Sequence, residues 1–282
     1  MRVLVIGAAG QLGQATVARL SSRHDLSTAT RQDVDLKDHA AVRALVLARK
    51  PEAIINCAAF NNVDAAEDDP RTALEINAMV VRTTARCAAD LGAVFFHFST
   101  DFVFAGTAAM PYTEADAPEP QSVYAQSKLV GEWFAALAPR HYVFRVESLF
   151  GGPHTRSSVD KIVDAVRAGT ETPVFFDRFV SPSFVDDVAD AVTHAIETRI
   201  PFGLYHCVNG GAATWLEVGR EIARQLERPD TMLKSVSVND VKLRAARPRY
   251  AVLCNAKLAA AGFAMPAWQD AIGRYLHRRS RA

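Results

Sequence analysis

A tyrosine and a lysine stand four residues apart in Tyr124-Ala-Gln-Ser-Lys128, which on a helix puts a phenol and an ammonium on one face, one turn apart. A phenol ionises near pH 10, so alone it is a poor acid–base catalyst at neutral pH. A neighbouring cation favours the phenolate and draws the group toward the operating range. The same ammonium can hold a ribose hydroxyl. This spacing recurs by chance in many chains, so its position decides the reading. Thr100 lies 24 residues earlier, at the end of an apolar run of strand length, where parallel sheets present catalytic groups. A hydroxyl there can hydrogen-bond a substrate carbonyl and orient it for hydride attack. Thr100, Tyr124 and Lys128 together read as the catalytic set of a ketone reductase.

A hydride needs a donor, and the amino terminus offers a place for one. Gly7-Ala-Ala-Gly10-Gln-Leu-Gly13 follows an apolar strand pattern and opens a helix, the context a dinucleotide fingerprint requires. Gly7 and Gly10 let the turn tighten, Gly13 permits close helix packing, and Ala9, Gln11 and Leu12 complete a loop whose N–H groups approach pyrophosphate. Roughly 20 residues on, where NAD-selective folds often carry an acid for the ribose 2′-hydroxyl, stands Arg31. A guanidinium suits a 2′-phosphate, so NADPH is the expected cofactor; Asp33 or Asp35, swinging toward the ribose, would instead admit NADH. Ala58 and Ala59 end a later strand with small side chains, as a cofactor lying close above a sheet needs.

The elements that must position these groups alternate through the first half of the chain. Strand patterns at Val3–Ile6, Leu26–Thr30, Ala53–Asn56, Val94–Ser99 and Tyr142–Val146 are separated by helical patterns at Leu12–Ser21, Ala40–Ala48, Pro70–Leu91 and Tyr124–Ala136. The fold class is α/β, a Rossmann-like doubly wound parallel sheet, and its near-continuously apolar strands expect helices on both faces. Past Gly151 the pattern loosens, with Pro153, Pro173, Pro182, Pro201 and Pro229 as punctuation. Residues 1–150 read as the dinucleotide-binding domain, with returning elements from about 178–212. Residues 151–177 and 213–282 read mainly as a smaller substrate lobe, ending in a frayed tail over His277–Ala282.

Composition narrows the function classes. Lys plus Arg number 32 against 31 Asp plus Glu, so no global positive field is available to hold nucleic acid. No apolar run approaches the roughly 18–20 residues of a membrane span, and the short amino-terminal strand is no signal peptide, so no membrane partner and a cytoplasmic location are expected. Cys57, Cys87, Cys207 and Cys254 form no CxxC pair and the histidines no metal-ligand spacing, so neither disulfide nor metal is expected.

These segments, together with Asp33–Asp38, Asn56–Glu67, Ser99–Gly106, Arg145 with Phe150-Gly151, Ser181–Ser183, Gly203–His206, Arg247-Pro248 and Trp268, make the chain resemble, over nearly its whole length, the extended short-chain dehydrogenase/reductases and within them the dTDP-4-dehydrorhamnose reductases. The resemblance implies hydride transfer from NAD(P)H to the 4-keto carbon of a nucleotide-linked deoxy sugar, with Tyr124 donating the proton. It also implies that Asp35 and Leu36 lie near adenine, that Val63, Asp101, Phe102 and Val103 border the sugar pocket, and that the chain forms a homodimer. Arg247 and Arg249 are candidates for the substrate's diphosphate.

The departures concern substrate more than chemistry. Phe102 stands where the family usually has tyrosine, Ala105 where aspartate is frequent, and Ser148 where a sugar-stacking tryptophan is expected. Losing a flat aromatic wall opens volume for a different or larger 4-keto sugar. Two alternatives follow: a reductase or epimerase of another nucleotide sugar, and a non-catalytic NADP-binding regulatory subunit like that of methionine adenosyltransferase. Retention of Thr100, Tyr124 and Lys128 argues against the second.

Overall fold

Six short segments assemble into one parallel sheet in the computed structural model, which describes residues 1–152 and 157–280. Pro153 lies outside the described residues. The strands are β1 (Arg2–Ile6), β2 (Asp25–Ala29), β3 (Ala53–Asn56), β4 (Val94–Thr100), β5 (His141–Val146) and, after four short strands, β10 (Gly203–His206). Their order is β2-β1-β3-β4-β5-β10, every pairing parallel. The chain runs outward from β1 to β2 and returns on β1's other side as β3. A crevice therefore opens above the carboxyl ends of β1 and β3, where open α/β sheets bind ligands.

Alternation along each strand serves two cores. Val3, Val5, Ile55, Phe96 and Phe144 join Leu12 and Leu20 of α1 (Gln11–Leu20) and Val188 and Val192 of α8 (Val185–Thr198) on one face. Leu4, Ile6, Ile54, Phe95 and Val143 join α2 (His39–Arg49) and α5 (Val80–Leu91) on the other. Burial on both faces explains why these strands lack polar alternation.

Helix starts follow local chemistry. Asp38 caps α2 and Ser122 caps α6 (Val123–Ala135), each accepting from the backbone N–H three residues on. Asn62 caps α3 (Val63–Asp68), a helix the sequence pattern does not announce. The pattern at Pro70–Leu91 resolves into α4 (Pro70–Leu74), a π-helical turn (Glu75–Met79) and α5. The long periodic run hides that extra residue because a π turn interrupts the face without a breaker.

The rest of the chain supplies a separate apolar cluster. It is built by α7 (Ser158–Ala168), α9 (Trp215–Gln225) and α11 (Trp268–Arg279), packed with β6 (Leu149–Phe150), β7 (Thr172–Phe175), β8 (Phe179–Val180), β9 (Ser183–Phe184), β11 (Ala213–Thr214) and β12 (Leu233–Val236). Helix α10 (Ala256–Ala260) returns Leu258 to the first core. The expected fraying does not begin at His277: the helix runs to Arg279, with Arg278 on Asp186 (2.8 Å) and Arg279 on Asp164 (2.6 Å). Acidic partners on neighbouring helices hold the basic turn. Among the described residues no helix is long and apolar enough to cross a membrane.

Candidate functional site

At the end of β1 the backbone turns so tightly that side chains cannot enter. Gly7 adopts φ +78°, and a Cβ there would sit 2.6 Å from the Ala58 nitrogen. At Gly13 a Cβ would meet the Gly7 carbonyl at 2.2 Å, so strand and helix approach closely only because glycine is present. Gly10 N–H donates to the Gly7 carbonyl (3.0 Å), and Gly10 precedes α1 without any side-chain cap. The first N–H groups of that helix stay free for an anion. Beside them, the Gln11 amide nitrogen is buried without a partner. Tight cradle, uncapped helix start and orphaned donor fit a dinucleotide pyrophosphate. Ala9 is exposed beside the cradle, whereas the Leu12 side chain belongs to the core, so only its backbone can face the crevice.

On the far side of the crevice, Ala58 and Ala59 are partly buried beyond β3. They are set by Asn56, whose Oδ1 accepts from Ala58 N–H (3.2 Å), and by Asn77, which accepts from Phe60 N–H (2.8 Å) and donates to the Phe60 carbonyl (3.0 Å) and Ser127 Oγ (2.9 Å). Asn77 sits in the π turn and is fully buried, so the extra residue aims a clamp at both the β3 loop and α6. Sequence reasoning missed it; an asparagine inside an apolar helical run was the available signal.

At the end expected to hold adenine, the acids and Arg31 part ways. Asp33 Oδ2 accepts from Thr30 N–H (2.7 Å) and Thr30 Oγ1 (2.8 Å), which holds its carboxyl below its usual range. Its carboxylate therefore closes the turn. Asp35 accepts from Lys37 N–H (3.0 Å), and Leu36 packs on the second core. Arg31 remains exposed.

Thr100 is the last residue of β4 and Tyr124 the second of α6. Thr100 Oγ1 donates to Asp101 Oδ1 (2.8 Å) and accepts from Phe102 N–H (3.2 Å); the Phe102 ring meets Tyr124 edge-on, with centroids 5.9 Å apart. Lys128 Nζ donates to the Phe98 carbonyl (2.6 Å), fixing the amine under the strand end. Glu67 Oε1 accepts from Val123 N–H (2.9 Å), so α3 pins the start of α6. The three residues read as a set from sequence thus meet at one sheet edge.

Their electrostatics differ from the sequence expectation in one respect. Burial and then the Asp101 charge push the Tyr124 phenol above its ordinary value, with Thr100 acting the other way. Burial brings Lys128 down to about 8, opposed by Glu132. Desolvation dominates, and Tyr124 stands as a neutral phenol, the form that donates a proton.

The expected substrate-side residues divide. Val63 is partly buried at the start of α3. Asp101 is buried, while Phe102 is partly exposed against Tyr124. Val103 is a correction: it has no exposed surface and packs with Phe104, Tyr112 and Leu253, because the short helical turn after β4 points it inward. Ser148 is partly buried with φ +44°, a left-handed backbone that β-branched and bulky residues disfavour.

The two arginines proposed for a diphosphate have partners in the chain. Arg247 pairs with Asp64 (2.9 Å) and Arg249 with Asp177 (2.6 Å). Arg178, which no motif singles out, lies with its guanidinium carbon 5.5 Å from the Phe102 centroid, and Arg247 lies 6.0 Å from it. Two cations therefore lie over the ring that abuts Tyr124.

Known proteins match the chain over nearly its whole length. The family described as RmlD substrate binding domain matches residues 1–281. A dTDP-4-dehydrorhamnose reductase of Streptomyces griseus is 33% identical over 270 residues, 93% of this chain and 88% of that protein. The crystal structure of a dTDP-4-dehydrorhamnose reductase from Clostridium acetobutylicum superposes with a TM-score of 0.94 at 31% identity, covering 99% of this chain and 100% of that one. One from Bacillus anthracis, in complex with NADP, gives 0.93 at 30% identity, covering 98% and 99%. Glycine cradle, sheet edge and whole-length match agree: the chain belongs to the RmlD substrate binding domain family.

Proposed function

We propose that this chain is an NADPH-dependent short-chain reductase of the 4-keto group of a nucleotide-linked deoxy sugar, dTDP-4-dehydrorhamnose or a close analogue. The observation that carries the reading is the meeting of Thr100, Tyr124 and Lys128 at the sheet edge that the glycine cradle serves. The nearest support for substrate and cofactor comes from the relatives: the Streptomyces griseus protein is named for dTDP-4-dehydrorhamnose, and the Bacillus anthracis structure holds NADP.

When bound, NADPH supplies the hydride that reduces the carbonyl carbon. The chain supplies the rest. Thr100 orients the carbonyl oxygen, and Tyr124 passes its phenolic proton to that oxygen as negative charge develops on it. Lys128 holds the nicotinamide ribose and stabilises the phenolate left on Tyr124. Arg31 meets the 2′-phosphate, exposed at a turn where the Asp33 carboxylate is engaged by Thr30. The lobe built on α7, α9 and α11 binds the sugar nucleotide, with Phe102 and Ser148 at the sugar and Arg178 with Arg247 nearest its charged portion. The Phe102 and Ser148 positions favour an analogue with more room at the sugar. A homodimer is the family-level proposal, decided by sedimentation of the purified chain.

Substrate choice is tested by following NADPH oxidation across dTDP-, GDP- and UDP-linked 4-keto sugars. Tyr124→Phe should lower kcat about 10²–10⁴-fold, the span of general acid catalysis. A parent-like rate from this variant removes Tyr124 as proton donor.

A further inference from the structure

Two carboxyl groups meet out of water behind Thr100. Thr100 pairs in register with Val146 across β4 and β5, so the next residues, Asp101 and Glu147, leave adjacent strands side by side. They are 2% and 1% exposed. Each has one oxygen served: Asp101 Oδ1 by Thr100 Oγ1 (2.8 Å) and Glu147 Oε2 by Ser181 N–H (2.7 Å). The others, Asp101 Oδ2 and Glu147 Oε1, are buried with no partner.

Two ionised carboxylates in such a place repel and leave two acceptors unpaired, whereas one proton between them relieves both costs. The facing groups do not replace that proton. Arg178 interacts with both charges, but its Nε donates to the Pro248 carbonyl (3.3 Å) and it bonds neither free oxygen. Arg247 is held by Asp64, Lys128 by the Phe98 carbonyl, and Tyr124 faces the pair through Thr100 and Asp101. Burial, then the Asp101 charge, pushes the Glu147 carboxyl well above its ordinary value; burial brings Asp101 up to about 7.

We infer that Glu147 is a positioning residue: its free Oε1 carries a proton held against the free Oδ2 of Asp101, keeping the pair at one negative charge behind Thr100 and Tyr124. This inference rests on the reductase reading for its consequence. A fully ionised Asp101 grips the Thr100 proton in a charge-assisted bond and opposes the negative charge growing on the carbonyl oxygen. Sharing Glu147's proton weakens that grip, and Thr100 can turn its hydroxyl to the substrate while Tyr124 gives up its proton. None of the sequence motifs includes Glu147; its place beside Asp101 comes from strand register.

Infrared difference spectroscopy of the full chain at pH 7 tests the pair directly. The parent should show the C=O stretch of a protonated carboxyl that is lost in Glu147→Gln; Asp101→Asn, which leaves Glu147 in place, should shift that band. Absence of such a band in the parent overturns the proposal. Kinetics test the consequence: the alkaline fall in kcat should move by about one pH unit in Glu147→Gln, and Glu147→Ala should lower kcat about tenfold or more with the KM for NADPH changed less than about threefold. A Glu147→Gln profile that superposes on the parent's also overturns it, since a purely structural side chain would move both parameters and leave the profile in place. Failure of the parent to reduce any 4-keto sugar nucleotide sinks the functional reading and Glu147's catalytic consequence with it, while the infrared band still decides whether the proton is shared.

Discussion

Replacing Arg145 by methionine should destabilise the chain far more than removing the whole ion pair it belongs to. Arg145, on β5, sends Nε and Nη2 to the two oxygens of Glu132 on α6, both at 2.8 Å, and the side chains are 2% and 8% exposed. The guanidinium carbon lies 4.9 Å from the Phe104 centroid, and Nη1 lies 3.5 Å from His206 Nε2. Glu132 is one turn beyond Lys128, so this pair ties α6 to the sheet. Arg145→Met leaves the Glu132 carboxylate buried and uncompensated, which costs about 3–5 kcal/mol. With roughly 2–4 °C of melting temperature per kcal/mol in a chain near this size, Tm should fall by about 6–20 °C. The double change Arg145→Met with Glu132→Leu removes both charges and fills the space with apolar groups, so most of the loss should return. Urea denaturation of parent, both single variants and the double variant measures the coupling. If Arg145→Met costs less than about 1 kcal/mol, or the double variant loses as much as the two singles added together, the pair does not bear on α6 as argued.

The cofactor cradle predicts that Gly13→Ala, whose Cβ would stand 2.2 Å from the Gly7 carbonyl, weakens NADPH binding at least tenfold by pushing α1 off the strand; titration of nucleotide fluorescence checks this. Arg31→Ala should raise the Kd for NADPH about tenfold, the scale of one lost charge-assisted contact, and leave NADH binding within about twofold. Equal losses for both cofactors would remove the 2′-phosphate role. Because burial brings Lys128 down to about 8, its ammonium is present below that pH and lost above it, so kcat/KM should fall as pH rises through about 8. A profile flat to pH 10 would place its charge outside the reaction.

Local features were readable before the fold was known because their consequences span a turn or a strand. The glycine spacing permits a tight turn between strand and helix, and it opens α1 as expected. Apolar strands without alternation indicated helices on both faces, and the parallel sheet has them. The four-residue offset places Tyr124 and Lys128 on one face of α6 by helical geometry alone.

Tertiary structure decided whatever depends on distant chain segments meeting. It turned Val103 into core, set Arg247 on Asp64, 183 residues earlier in sequence, and placed Arg178 over Phe102. It made Asn77 a clamp by inserting a π turn that periodicity cannot reveal. It raised the Tyr124 phenol where neighbour charge alone predicted lowering, because burial is a property of the folded surroundings. Thus Thr100, Tyr124 and Lys128 could be singled out in sequence, as residue types at a characteristic spacing. The raised Tyr124 phenol, and the burial of Asp101 and Glu147 at the ends of neighbouring strands, arise only when β4 and β5 align in register and water is excluded.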